Sequence, residues 1–101
     1  MEKYTDEQIL EELSQGAPEW SALGDSITRA YQFADFLESM AFVNEVAEAA
    51  EAAAHHPDIL IRWNKVSLTL STHDAGGVTE KDFEMAKCTD AIANRYPSAA
   101  S

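Results

Sequence analysis

The chain has 101 residues and carries 18 acidic against 7 basic side chains, which gives a formal net charge of −11 at pH 7. A surface of this sign repels phosphate backbones and anionic lipid headgroups, so binding to nucleic acid or to a membrane surface is disfavoured. Hydrophobic residues make up 46% of the chain and charged residues 25%. This mixture and this length are typical of one globular domain, which we expect to span residues 1–101.

The N-terminal residues and the single cysteine bear on the cellular compartment in which the protein is expected to work. The chain begins Met-Glu-Lys-Tyr-Thr-Asp, without the basic region and apolar core of a signal peptide. No stretch approaches the roughly 20 apolar residues that span a bilayer. Cys88 is the only cysteine, so it cannot form an internal disulfide and it fits a reducing compartment. We therefore expect a cytoplasmic protein.

The first third of the chain predicts one helix and two strands. Thr5 and Gln8 have the spacing of a capping box, and Gly16 is a helix stop. A short strand at residues 20–22 is followed by a turn. Apolar residues then alternate with polar ones over residues 26–33, which predicts a half-buried strand.

A long helix follows, from about residue 33 or 34 to residue 54. Its apolar residues recur at spacings of three and four, and they are Phe36, Met40, Val43, Ala47, Ala50 and Ala54. Pro57 is expected to end this helix because its ring removes a backbone donor. His55 would then lie in the last helical turn, and His56 would be driven into an extended conformation by the proline that follows it.

Two β-rich runs, residues 59–63 and 66–73, flank Asn64-Lys65, which we interpret as a two-residue hairpin turn. This turn would place Trp63 opposite Val66. Extending the same register brings His56 opposite His73.

Residues 74–77 form a glycine-containing connection to a last helix. Thr79, with Asp82 three positions later, predicts the N-terminal cap of that helix. Its inward side chains would be Met85, Cys88, Ile92 and Tyr96. Residues 97–101 are expected to be a frayed tail.

The three histidines, His55, His56 and His73, are the main candidates for chemistry. Imidazole titrates near neutral pH, and one histidine can act as acid while another acts as base only if both reach one ligand. Taken singly, His55 has an alternative reading as a helix-end histidine that binds free carbonyl groups, and His73 as an exposed strand-edge residue. The predicted convergence favours a proton-transfer site.

Rival chemistries are less well supported. Imidazole also suits metal ions, but adjacent histidines tend to diverge and no cysteine or carboxylate shows ligand spacing with them, so no metal is expected. Cys88 falls on the apolar side of a helix and reads as a core residue rather than a nucleophile. Gly76-Gly77 lacks the further glycines and the lysine of a phosphate loop, which leaves it as a turn.

Three further residues have two readings each. Asp82 can be a helix cap or a functional carboxylate. Trp20 and Trp63 can belong to the core, or can stack on a flat heterocycle beside the histidines.

The spacing Glu51-x-x-x-His55-His56-Pro57, then Trp63, His73 and Asp82, resembles the pterin-4a-carbinolamine dehydratase family, also called 4a-hydroxytetrahydrobiopterin dehydratase. The neighbouring runs agree, among them Trp-Asn-Lys-Val at 63–66, Leu-Ser-Thr-His at 70–73 and Gly-Val-Thr-Glu-Lys-Asp at 77–82. The resemblance covers nearly the whole chain.

This resemblance implies an α+β fold in which three α-helices pack on one face of a four-stranded antiparallel sheet, in agreement with the element order above. It implies a homodimer or homotetramer, no metal or organic cofactor, and a substrate supplied by an aromatic amino-acid hydroxylase. The implied reaction is dehydration of a 4a-hydroxytetrahydropterin to the quinonoid dihydropterin, in tetrahydrobiopterin recycling.

By the same resemblance, His55 and His73 are acid–base candidates, and His56 binds the pterin and shares in proton transfer. Asp82 would orient a histidine or the pterin, and Trp20 or Trp63 would shape the pocket. The resemblance leaves a second function open, because some family members are non-catalytic protein-binding partners, as dimerisation cofactors of a transcription factor or as assembly chaperones. Retention of the histidines favours the enzyme.

Overall fold

The structure, a computed structural model, describes residues 2–97. Three helices lie against a four-stranded antiparallel sheet with the strand order β1-β2-β4-β3. In chain order the elements are α1 (Asp6–Gly16), β1 (Ser21–Leu23), β2 (Ser26–Gln32), α2 (Phe36–Ala53), β3 (Asp58–Arg62), β4 (Lys65–Leu70) and α3 (Glu80–Ala93). The α+β class predicted for the chain is confirmed. The tail predicted at 97–101 lies, apart from Pro97, outside the described residues.

The core lies on one face of the sheet, between the strands and the three helices. The alternation predicted for β2 and β4 is confirmed, because every second side chain of these strands is directed into the core. The buried strand residues are Ile27, Tyr31, Val66, Leu68 and Leu70, and the helices supply Ile9, Leu13, Phe42, Val46, Phe83, Met85 and Ile92. Burial of each large apolar side chain contributes about 1.5–3 kcal/mol, so this single core holds the three helices against β2 and β4.

Both helix-capping predictions are confirmed. Thr5 accepts from the Gln8 backbone N–H at 3.1 Å while the Gln8 side chain accepts from the Thr5 N–H at 2.8 Å. Thr79 and Asp82 form the same reciprocal box at the start of α3. These caps satisfy backbone donors that a helix leaves unpaired, which is why the helices begin at these residues.

The long helix differs from the prediction at both ends and on its buried face. It begins at Phe36, because Asp35 caps it by accepting from the Glu38 N–H at 2.8 Å. It ends because Ala54 adopts the left-handed conformation, with φ 52° and ψ 39°, and not directly because of Pro57. Of the predicted stripe only Ala50 is buried, and the other buried residues of the helix are Ser39, Phe42 and Val46. The helix carries small or apolar residues on more than one side, so spacing alone did not select the side that the sheet covers.

The register predicted for the hairpin is wrong by two residues. Ile61, not Trp63, lies opposite Val66, and the turn consists of Trp63 and Asn64. A tertiary contact holds this turn, since the Asn64 side chain donates to the Phe33 carbonyl at 3.1 Å and the Phe33 N–H donates to the Asn64 carbonyl at 2.7 Å. A shift of two residues keeps the same side chains on the core face. It does, however, remove the predicted pairing of His56 with His73.

Cys88 is exposed, so its assignment to the core is wrong, whereas Met85 and Ile92 are buried as predicted. The buried side of α3 instead includes Phe83, Ala86 and Thr89. Within residues 2–97, no helix is both long enough and apolar enough to cross a membrane.

Candidate active site

All three histidines line one cleft, of about 260 Å³, at the end of the sheet where α2 gives way to β3. The convergence predicted from the sequence therefore exists, although the register that predicted it does not. The cleft lining is Ala54, His55, His56, Ser71, Thr72, His73, Asp74 and Lys81. It combines the segment after α2, the segment after β4 and the first turn of α3.

His55 lies just beyond α2 and not in its last turn, which corrects the sequence prediction. Its backbone N–H donates to the Ala50 carbonyl at 3.1 Å, across the left-handed Ala54. This closure turns the chain sharply at the helix end. The imidazole is thereby directed towards α3, with a side chain that is only 11% exposed.

Asp82 is fully buried and contacts His55 directly, with 2.6 Å between its Oδ1 and Nε2 of the imidazole. Its other oxygen, Oδ2, accepts from the Thr79 N–H at 2.8 Å and from the Thr72 hydroxyl at 2.9 Å. The cap reading of Asp82 is therefore confirmed, and the same carboxylate also binds a histidine. A buried carboxylate needs several such donors to offset its desolvation.

The other two histidines are more open than His55. His56 lies 3.2 Å from Glu51 through Nε2, but both side chains are well exposed, at 60% and 80%. An ion pair of this exposure holds a side chain only weakly. His73 is exposed and begins a short 3-10 turn, His73–Ala75, rather than ending a strand. These two imidazoles can adjust to a ligand, whereas His55 is held in place.

Neither tryptophan lines the histidine cleft. Trp20 is buried in the core, where its indole N–H donates to Asp90 at 3.0 Å. Trp63 lies in the turn at the far end of the β3–β4 hairpin, is 68% exposed and has φ 55°. Within a single chain, the pocket-shaping role expected of Trp20 or Trp63 therefore has no direct contact to support it.

Two residues of the site were missed in the sequence. Thr72 continues the inward-facing positions of β4, after Leu68 and Leu70, and a buried hydroxyl at that position was a readable signal for a polar contact. Lys81 also lines the cleft. It precedes Asp82 in the first turn of α3, but nothing in its spacing distinguished it from a surface lysine.

His55 also lines a second cavity, of about 310 Å³, with residues of α2 and α3. Among the described residues its Nδ1 makes no hydrogen bond, and no buried side-chain nitrogen or oxygen there lacks a partner. Nδ1 therefore keeps some solvent-exposed surface. One imidazole held by a carboxylate, with two exposed imidazoles lining the same cleft, can donate and accept protons on one small ligand near neutral pH. Residues 2–97 contain no group of three His, Cys, Asp or Glu side chains placed to hold a metal ion.

Comparison with known proteins identifies the family to which this chain belongs. Residues 2–92 match the family model described as pterin 4 alpha carbinolamine dehydratase. A protein of Acidobacterium capsulatum is 51% identical over 92 residues, covering 91% of this chain and 99% of its own. A protein of Picosynechococcus is 50% identical over 90 residues, covering 89% and 97%. Both are named "Putative pterin-4-alpha-carbinolamine dehydratase".

Solved structures share the fold. The crystal structure of a transcriptional coactivator/pterin dehydratase from Brucella melitensis is 35% identical, with a TM-score of 0.84, and the match covers 89% of this chain and 97% of that one. A pterin dehydratase-like protein described as a RuBisCO assembly factor in the alpha-carboxysome has a TM-score of 0.61 at 20% identity, over 72% of this chain and 84% of that one. At that identity the second likeness concerns the fold alone.

Proposed function

Because this chain belongs to the pterin 4 alpha carbinolamine dehydratase family, we propose that it converts a 4a-hydroxytetrahydropterin to the quinonoid dihydropterin and water. The observation that carries the proposal is the cleft lined by three histidines, one of which is bound by a buried carboxylate. We further propose that the reaction serves the recycling of tetrahydrobiopterin, that an aromatic amino-acid hydroxylase supplies the substrate, and that the protein works in the cytoplasm.

The chemistry needs two proton transfers. The bond between carbon 4a and its hydroxyl oxygen breaks, and that oxygen leaves as water after taking one proton. The proton on ring nitrogen N5 is removed, and its electron pair forms the N5–C4a double bond. Imidazoles are the side chains best matched to both transfers near neutral pH. No oxidant or reductant takes part.

We assign the acid and base roles to His55 and His73, with His56 binding the pterin and sharing in proton transfer. Asp82 supports this assignment because it holds the His55 ring at 2.6 Å.

The protein also presents a surface suited to self-association. Phe36 and Leu37, at the start of α2, are 47% and 77% exposed, and Ile59 and Leu60 of the edge strand β3 are 37% and 57% exposed. Exposed apolar patches of this kind are typical of protein interfaces. They support the expectation of a homodimer or homotetramer. The same surface would serve the alternative function, in which the chain acts only as a protein-binding partner.

The decisive experiment follows the decay of enzymatically generated 4a-hydroxytetrahydropterin with and without the protein. We expect catalytic amounts to accelerate the decay, and we expect the double variant His55→Ala/His73→Ala to lose most of this acceleration while it stays folded by circular dichroism. A wild-type protein without effect on the decay would contradict the dehydratase proposal and favour the binding function. A fully active double variant would refute the assignment of the two histidines.

A further inference from the structure

We propose that Thr72 is a positioning residue of the active site, which acts through Asp82 to hold the His55 ring in one tautomer. The inference rests on the proposed dehydratase function for its kinetic consequences, but not for its structural ones. The inference follows from three linked hydrogen bonds, in each of which only one partner can be the donor.

The direction of this chain is set by the number of protons available. As a carboxylate, Asp82 has none to give and only accepts. The Thr72 hydroxyl has a single proton and donates it to Asp82 Oδ2 at 2.9 Å. Its 2.7 Å contact with the Thr79 hydroxyl must therefore be one in which Thr79 donates and Thr72 accepts. The proton order runs from Thr79 to Thr72 and from Thr72 to Asp82.

The chain occupies Oδ2 and leaves Oδ1 for the imidazole. Oδ2 already accepts from the Thr79 N–H and the Thr72 hydroxyl, and these two donors prevent the carboxylate from rotating. Oδ1 then accepts a hydrogen bond from the Nε2–H of His55 at 2.6 Å, because a carboxylate oxygen can only accept in this contact. In the neutral ring the lone pair must consequently lie on Nδ1, which is the nitrogen that reaches solvent.

Burial makes this arrangement rigid. Thr72 is 8% exposed, while Thr79 and Asp82 are completely buried, so water cannot replace a missing donor without rearrangement. The Thr72 backbone also begins the turn that carries His73, because its carbonyl accepts from the Ala75 N–H at 3.1 Å. One residue thus contacts the support of His55 and precedes His73 directly in the chain.

The test compares Thr72→Val, which removes the hydroxyl and keeps the shape, with Thr72→Ser, which keeps the hydroxyl. Thr89→Val is the matched control, because Thr89 is also a buried threonine, its hydroxyl is hydrogen-bonded to that of Tyr31, and it does not line the histidine cleft. We expect Thr72→Val to lower kcat about 10- to 100-fold with little change in KM, by analogy with the loss seen when the outer-shell partner of a metal-binding histidine is removed. Thr72→Ser and Thr89→Val should stay within about threefold of the wild type at a temperature where all are folded.

A second readout does not depend on activity. Nitrogen-15 spectra distinguish protonated from unprotonated imidazole nitrogens, and three histidines are few enough to assign by single substitutions. At a pH where His55 is neutral, the wild type should show Nε2 protonated, and Thr72→Val should show a mixture of tautomers. A Thr72→Val protein with wild-type kcat and an unchanged His55 spectrum would overturn the proposal, as would equal losses of kcat in Thr72→Ser or Thr89→Val.

The two proposals can fail separately. If the wild type does not accelerate dehydration, the proposed function is wrong, and the spectra of His55 alone decide whether Thr72 sets its tautomer. If the wild type is active but Thr72→Val is equally active, the function stands and the role of Thr72 is wrong.

Discussion

Helix α3 carries two carboxylates that bind side chains of other elements, one at each end, and they differ in what they bind. Asp82, in the first turn, binds Thr72 and the imidazole of His55, which opens to a cleft. Asp90, two turns later, accepts from Trp20 and from Arg29, the latter at 2.7 Å.

Tyr31 also donates to Asp90, and the Arg29 guanidinium lies 4.3 Å from the centre of the Tyr31 ring. None of the side-chain types that bind Asp90 changes charge near neutral pH. The imidazole that binds Asp82 is a side-chain type that does. A carboxylate surrounded by hydrogen-bond donors therefore holds an imidazole of the candidate site at one end of α3, and holds the helix to the sheet at the other.

Substitution of Asp82 by Asn should have the largest effect. An amide at this position can present N–H groups to His55 and so favour the wrong tautomer, as the equivalent change does in serine proteases. We expect the turnover number for dehydration to fall about 10²-fold or more, with the fold retained, as measured by pterin decay and circular dichroism. A variant with normal turnover would show that the carboxylate serves only as a helix cap.

Asp90→Asn should give the opposite pattern. The amide leaves Arg29 without its counter-ion in a largely buried position, which costs about 2–3 kcal/mol of unfolding free energy. Turnover per folded molecule should stay within about twofold, because Asp90 does not line the histidine cleft. Urea unfolding and kinetics on the same preparation measure both quantities. A loss of turnover as large as that of Asp82→Asn would abolish the distinction between the two ends.

The stability contributed by the Asp90 end of α3 should decrease at alkaline pH. Burial above all, and then the hydrogen bond to Asp90, raises the pKa of Tyr31, while the hydrogen bond to Glu45 and burial raise the pKa of Tyr96 to about 12. The folded chain thus holds these phenol protons more tightly than the unfolded chain, in which tyrosine titrates near about 10. Their contribution to stability is complete below about pH 10 and is lost as the pH rises through the folded-state pKa values.

We therefore expect the free energy of unfolding to decrease with pH above about 10, and to decrease less steeply in Tyr31→Phe, which has no phenol proton to lose. Urea titrations between pH 8 and about 11 measure this slope. Identical slopes for the two proteins would show that Tyr31 is not the group responsible.

The smallest expected effect lies at the histidine end. Ala54 has φ 52°, a left-handed conformation that a Cβ disfavours by about 1 kcal/mol and that glycine adopts freely. Ala54→Gly should raise the unfolding free energy by about 0.5–1 kcal/mol without changing the position of His55. Thermal unfolding and turnover measure the two quantities, and a less stable variant would show that this strain is absent.

The helices and strands were largely readable from local signals. Thr5 and Thr79 marked helix starts because capping depends on residues only three apart. The alternation in β2 and β4 identified core positions because a strand has a period of two. The α2 start and the hairpin turn were misplaced, since Asp35 and Asn64 had to be chosen among several candidates. For Asn64, the deciding partner is the Phe33 backbone, 31 residues away.

The three histidines and Asp82 were readable as members of the candidate site, whereas Thr72, Lys81 and the contacts that build the site were not. The sequence by itself determined that His55, His56 and His73 would approach one another, because a chain that passes from helix to hairpin must bring these segments to one end of the sheet. The tertiary structure alone decided that His55 leaves the helix and meets Asp82, that Thr72 completes the hydrogen bonds of this carboxylate, and that Trp63 lies at the opposite end of the hairpin. The physical reason is that such contacts join residues distant in sequence, and a shift of two residues in register leaves the polarity pattern unchanged while it alters every partner.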